Sequence, residues 1–106
     1  MAEGRFVRVP VPLPAEGKTA GFEIEGQPLV LCNAFGEPYV IAGDCPHAGV
    51  ALAPGVLRGC VLECPLHGGK LDVRTGKPVT PPIRRAARTH EVRLQDGGLE
   101  VWVDGA

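Results

Sequence analysis

Two short segments carry the side chains best suited to holding a transition metal. They are Cys45-Pro46-His47-Ala48-Gly49 and Cys64-Pro65-Leu66-His67-Gly68-Gly69, with sixteen residues between His47 and Cys64. Each offers one thiolate and one imidazole, donors that zinc and iron–sulfur centres both accept. In both segments the cysteine precedes proline and glycine follows the histidine closely, so they read as matching loops rather than as parts of regular elements. One such pair arises easily by chance. Two Cys-Pro loops, each with a histidine two or three residues on, point to one centre gripped from two sides. Zinc remains a competing occupant on donor type alone. Zinc fingers commonly pair Cys with Cys and His with His along the chain, however, and the mixed order here favours a cluster.

Such loops need a rigid frame, and the rest of the sequence describes one without long helices. Fifteen Gly and eleven Pro interrupt the chain so often that only residues 83–96 run beyond seven positions without either. Short apolar and β-branched runs at residues 6–9, 21–25, 28–32 and 39–42 read as strands, with Gly26 and Gly36 in the turns between them. Val92 and Leu94 alternate with polar residues, as do Leu99, Val101 and Val103, and Asp96-Gly97-Gly98 lies between the two runs, which predicts a hairpin. The Pro-rich start, residues 9–14, is expected to lie extended against the domain, and residues 83–88 to form an irregular lead-in to a strand. The reading is all-β: one domain over residues 1–106, a small antiparallel sandwich or open barrel.

Composition narrows the function classes. Eleven Lys and Arg against twelve Asp and Glu give a net charge of −1, without the basic excess of a nucleic-acid binder. The longest apolar runs are far short of a membrane span, and the N-terminus does not have the form of an export signal, so a cytoplasmic protein is expected. Four cysteines in that setting speak for metal binding or catalysis rather than disulfides. No phosphate-binding glycine loop, Ser-His-Asp arrangement or paired-carboxylate motif can be argued from spacing, so the chain reads as no enzyme by itself.

With the two loops in view, the chain resembles the Rieske family, whose pattern is Cys-x-His followed, after a stretch of similar length, by Cys-x-x-His. The likeness extends to Gly68, Asp72, Thr75-Gly76 and Pro81. It implies one [2Fe-2S] cluster held by Cys45, His47, Cys64 and His67, in a cluster-binding subdomain of two loops spanning about residues 43–82. It places the cysteines on one iron and the histidines on the other, a division known for Rieske centres generally. Pro81-Pro82 resembles the family's proline segment over the cluster. The far ring nitrogens of His47 and His67 are then expected to reach solvent or a partner.

Rieske proteins of quinol-oxidising complexes carry an extra cysteine in each loop, where this chain has Val50 and Leu66. They also place serine and tyrosine donors near the second loop, where this chain has Gly69 and Leu71. Without those hydroxyls the potential is expected toward the bottom of the Rieske range, roughly −150 mV. The resemblance therefore points to the free-standing ferredoxins of aromatic-ring dioxygenase systems. In that role the chain is a monomeric electron carrier between a flavin-containing reductase and an oxygenase component. Two alternatives stand beside it: the small Rieske subunit of a nitrite reductase, and a zinc-stabilised binding module. Cys32 and Cys60 are expected to be small buried hydrophobes and His90 a surface residue, while Arg84, Arg85 and Arg88 form a short positive run.

Overall fold

The computed structural model describes residues 4–44, 51–65, 68–81 and 83–104. Among the described residues there are eleven strands and no helix. They are β1 (Gly4–Arg8), β2 (Thr19–Ile24), β3 (Gln27–Ala34), β4 (Glu37–Ala42), β5 (Val56–Arg58), β6 (Val61–Glu63), β7 (Lys70–Asp72), β8 (Pro78–Thr80), β9 (Thr89–His90), β10 (Val92–Gln95) and β11 (Gly98–Asp104). All pairings between them are antiparallel, in three sheets ordered β1-β11-β10, β2-β3-β4-β9 and β5-β6-β7-β8. The expected strands correspond to β1 to β4, and the expected hairpin to β10 and β11. The three-residue strands β5 to β8 are additional, being too short to show a period in sequence.

Strand β3 explains how the sheets stack. Leu29 and Leu31 join a core with Val9, Ile24, Val40, Val101 and Val103. Val30, Cys32 and Ala34, alternating with them, join a second core with Ile41, Leu57, Leu62, Leu71 and Ile83. The β2-β3-β4-β9 sheet is therefore covered on both faces, by β1-β11-β10 on one and β5-β6-β7-β8 on the other. That is why residues 28–32 read as an unbroken apolar run and not as an alternation.

Two-residue hairpins recur in this frame, three of them with both loop residues at positive φ. Ile24 pairs with Gln27, Ala34 with Glu37 and Gln95 with Gly98. The loop pairs are Glu25-Gly26, Phe35-Gly36 and Asp96-Gly97, all with positive φ, as the type I′ geometry matched to strand twist requires. The Pro-rich segment is tied down as expected: Val9 is buried, and the Asn33 side-chain amide donates to the Pro14 carbonyl at 2.8 Å.

Candidate metal centre

Both candidate loops leave the same end of the β5-β6-β7-β8 sheet. The first is closed at its base by an antiparallel bridge between Asp44 and Ala51 and by the Leu52 N–H donating to the Gly43 carbonyl at 2.8 Å. Its returning chain enters β5 at Val56, whose partner in β6 is Glu63, the residue before Cys64. The approach there is close: a Cβ on Gly55 would stand 2.9 Å from the Glu63 carbonyl oxygen. The second loop joins β6 to β7 and is closed in turn by the Cys64 N–H donating to Gly69 O at 2.7 Å and the Gly68 N–H donating to Cys64 O at 3.0 Å. Strand pairing thus brings the bases of two loops, far apart in sequence, side by side.

Cys64 is fully buried, in the core cluster that holds Leu52, Leu62, Leu71 and Ile83. Cys45, His47 and His67 lie outside the described residues, as do Val50, Leu66 and Pro82. A thiolate among apolar side chains is costly unless a metal cation offsets its charge, so the chemistry of the Cys64 environment fits a thiolate-bound cluster. Leu71 is also fully buried, and neither it nor Gly69 brings a hydroxyl to this end of the sheet.

Two further pieces brace β7, one at each end. Asp72 opens a tight turn: its carboxylate accepts from the Arg74 N–H at 2.9 Å and from the Arg74 guanidinium, and its carbonyl accepts from the Gly76 N–H at 2.6 Å. The Arg74 guanidinium holds the Asp72 carboxyl below its ordinary value, chiefly through the side-chain hydrogen bond. The second piece is Thr80, which sequence reasoning missed. Its hydroxyl accepts the Lys70 N–H at 3.0 Å, where the register between β7 and β8 shifts. Nothing in local sequence marks that bulge.

The remaining candidates fall elsewhere. Cys32 is buried in β3 as expected, and burial pushes its thiol up to about 12. Cys60 is half-buried, at the β5–β6 turn, and packs against the same core as Cys64. His90 corrects the surface expectation: only 6% of it is exposed. It pairs with Val40 at the edge of the central sheet, and its Nδ1 lies 2.9 Å from the Trp102 carbonyl of the neighbouring sheet. A carbonyl can only accept, so Nδ1 carries the hydrogen. This bond satisfies Nδ1, while Nε2 is buried without a hydrogen-bond partner among the described residues, in a ring that fills the seam between sheets. Burial, aided by nearby Arg88, holds the His90 imidazole below its ordinary value.

Antiparallel sheets, two loop bases side by side at one sheet end and a buried loop cysteine form the frame of a thiolate metal centre. The comparisons are more particular. A profile of the Rieske [2Fe-2S] domain matches residues 7–97, and the chain belongs to that family. Its cofactor is a [2Fe-2S] cluster. The chain is 36% identical over 89 residues to the ferredoxin component of the naphthalene 1,2-dioxygenase system of Pseudomonas putida, covering 84% of each. It superposes on the ferredoxin of carbazole 1,9a-dioxygenase from Nocardioides aromaticivorans IC177 with a TM-score of 0.83, at 31% identity over 91% of this chain and 95% of that one. It is also similar to the ferredoxin in a complex of reduced oxygenase and oxidised ferredoxin of a carbazole 1,9a-dioxygenase. There the TM-score is 0.84, at 28% identity over 91% of each chain. Among the described residues no helix is long and apolar enough to cross a membrane.

Proposed function

We propose that this chain is a cytoplasmic, monomeric Rieske ferredoxin that carries single electrons from a flavin-containing reductase to an oxygenase component, within a single domain over residues 1–106. Its cluster-binding part is residues 43–82, with Cys45, His47, Cys64 and His67 as ligands. The observation that carries the reading is the placement of Cys64, wholly buried at a loop base that strand pairing sets beside the base of the loop bearing Cys45 and His47. The similarity to dioxygenase ferredoxins supports the oxygenase as acceptor and favours it over the nitrite reductase alternative. When bound, the cluster supplies a one-electron couple. The chain supplies the apolar wall around Cys64, the Thr80 hydroxyl holds the base of the second loop at Lys70, and the Asp72 turn closes the far end of β7.

The reading is tested by electron paramagnetic resonance of the dithionite-reduced protein, where mixed imidazole and thiolate ligation gives a lower average g-value than four thiolates. Cys64→Ser should abolish the visible absorbance, and a redox titration should give a midpoint of roughly −150 mV. Product formation by a ring-hydroxylating oxygenase supplied with a flavin reductase should depend on the holoprotein. A cluster that survives removal of both His47 and His67 imidazoles sinks the ligand assignment; a strongly positive midpoint sinks the acceptor assignment.

A further inference from the structure

Half of the eight arginines of the chain are ion-paired with a neighbour. Arg5 pairs with Glu25, Arg74 with Asp72, Arg88 with Asp104 and Arg93 with Glu100, and Arg8 donates to the Gln95 carbonyl. Arg84 and Arg85 are exposed and have no hydrogen-bond or ion-pair partner among the described residues. They do not ride on a loose segment. Ile83 before them and Ala87 after them are buried in the core cluster that contains Cys64, and the Ala87 N–H donates to the Gly76 carbonyl at 2.7 Å.

Their place relative to the ligand loop follows from strand pairing. Thr80 accepts the Lys70 N–H, and Lys70 follows Gly69, whose carbonyl accepts from Cys64. Arg84 stands four residues beyond Thr80. The other charges at this end of the sheet do not cancel the pair. Glu63 and Lys70 face one another across β6 and β7, and Asp44, exposed, belongs to the base of the other loop. Residues 83–87 thus run between the Thr80 end of β8, at the base of the second loop, and the Gly76 turn at its other end, and on a chain of net charge −1 they carry two positive charges unpaired among the described residues.

We propose that Arg84 and Arg85 form the positive half of the docking face for an acidic patch on a protein redox partner. The proposal rests on the electron-carrier reading above. Two fixed charges act over about one Debye length, so they orient a partner at contact without making the chain a general polyanion binder.

The test uses holoprotein reduced with dithionite, desalted anaerobically and mixed in a stopped flow with hexacyanoferrate(III) or hexaamminecobalt(III). One electron passes from the reduced protein to each complex, giving hexacyanoferrate(II) or cobalt(II). A change of midpoint potential moves both rates in the same direction, whereas a local field moves them apart, so the ratio of the two rates is the readout. The wild-type ratio should fall as salt rises. R84E/R85E should lower the ratio about ten-fold at low salt, with R84Q/R85Q between. Arg58→Glu, an equally exposed and unpaired arginine at the far end of β5, should leave the ratio alone. A decaglutamate peptide should slow the hexacyanoferrate reaction of wild type but not of R84E/R85E.

A ratio unmoved in R84E/R85E, or moved equally by Arg58→Glu, overturns the proposal while leaving the carrier reading intact. Stronger inhibition by single-stranded DNA than by decaglutamate overturns the acidic-protein assignment. Failure of dithionite to bleach a visible band overturns the carrier reading and this proposal with it.

Discussion

Gly76 is the residue whose replacement should reveal how the far end of the β7–β8 pair is held, because the chain crosses itself there. Its φ is +77°, and a Cβ at this position would stand 1.9 Å from the Ala87 carbonyl oxygen and 3.0 Å from the Ala87 carbonyl carbon. The left-handed backbone alone costs an alanine about 1 kcal/mol. The overlap is with backbone, so a Gly76→Ala chain must open the crossing by more than an ångström to reach ordinary contact. That movement breaks the 2.7 Å bond from Ala87 N–H to Gly76 O, worth about 1 kcal/mol. It also draws Ala87 and Ile83 outward from the core, at a further cost of about 2 kcal/mol. The total is about 4 kcal/mol, a large share of the roughly 5–15 kcal/mol that holds a domain together. Gly26→Ala is the matched control: φ is +80°, but the space where the Cβ would go is open, so about 1 kcal/mol is expected. Anaerobic urea unfolding followed by far-ultraviolet circular dichroism gives both values, and the visible dichroism of the cluster reports the loop. If Gly76→Ala proves no more destabilising than Gly26→Ala, the steric reasoning is refuted.

Two other outcomes follow from buried titratable groups. His90 is held below its ordinary value by burial and by Arg88, so the unfolded chain takes up the proton more readily than the folded one. The stability it supports should be complete above about pH 6.5 and decline as pH falls below that value, and His90→Gln should flatten this part of a pH series of urea midpoints. Cys32, with its thiol pushed up to about 12, should resist iodoacetamide in the native holoprotein at pH 8 while half-buried Cys60 is alkylated. Peptide mass spectrometry decides between them, and labelling of Cys32 ahead of Cys60 would contradict the burial argument.

What could be read from sequence was set by the range of the physics involved. Residues 28–32 and the alternation from Val92 to Val103 announce strands because burial imposes a pattern several residues long. Gly26, Gly36 and Gly97 announce turns because left-handed backbone selects glycine. The two Cys–His motifs stand out in sequence because a metal dictates donor types, not because the fold is visible in them, and Cys45, His47 and His67 lie outside the described residues. His90 was misread since its burial depends on the Trp102 carbonyl, which belongs to another sheet. Strands β5 to β8 and the Thr80 contact escaped for the same reason: a three-residue strand is specified by its neighbours, and a bulge by its register. The juxtaposition of the two loop bases rests on the Val56–Glu63 pairing, which no local spacing encodes.

That dependence makes a last outcome calculable in sign. Strands of three residues do not persist alone, and β5-β6-β7-β8 is held to the central sheet by Leu57, Leu62 and Leu71 packing with Val30, Cys32 and Ile41. Each fully buried leucine contributes about 2 kcal/mol, an amount that the chain entropy of ordering the strands and both loops largely consumes. With the proposed ligands the cluster ties those loops together, so its loss should release this sheet before the other two. Central strands β3 and β4, buried on both faces, do not depend on that tie. Hydrogen exchange of holoprotein and of protein stripped of iron by chelation under reducing conditions should therefore differ by region. Protection should fall at least ten-fold at Leu62 and Leu71 while Val30, Leu31 and Ile41 keep most of theirs. Uniform loss across all three sheets would mean that the chain unfolds as one unit and that the cluster-bearing sheet has no separate stability.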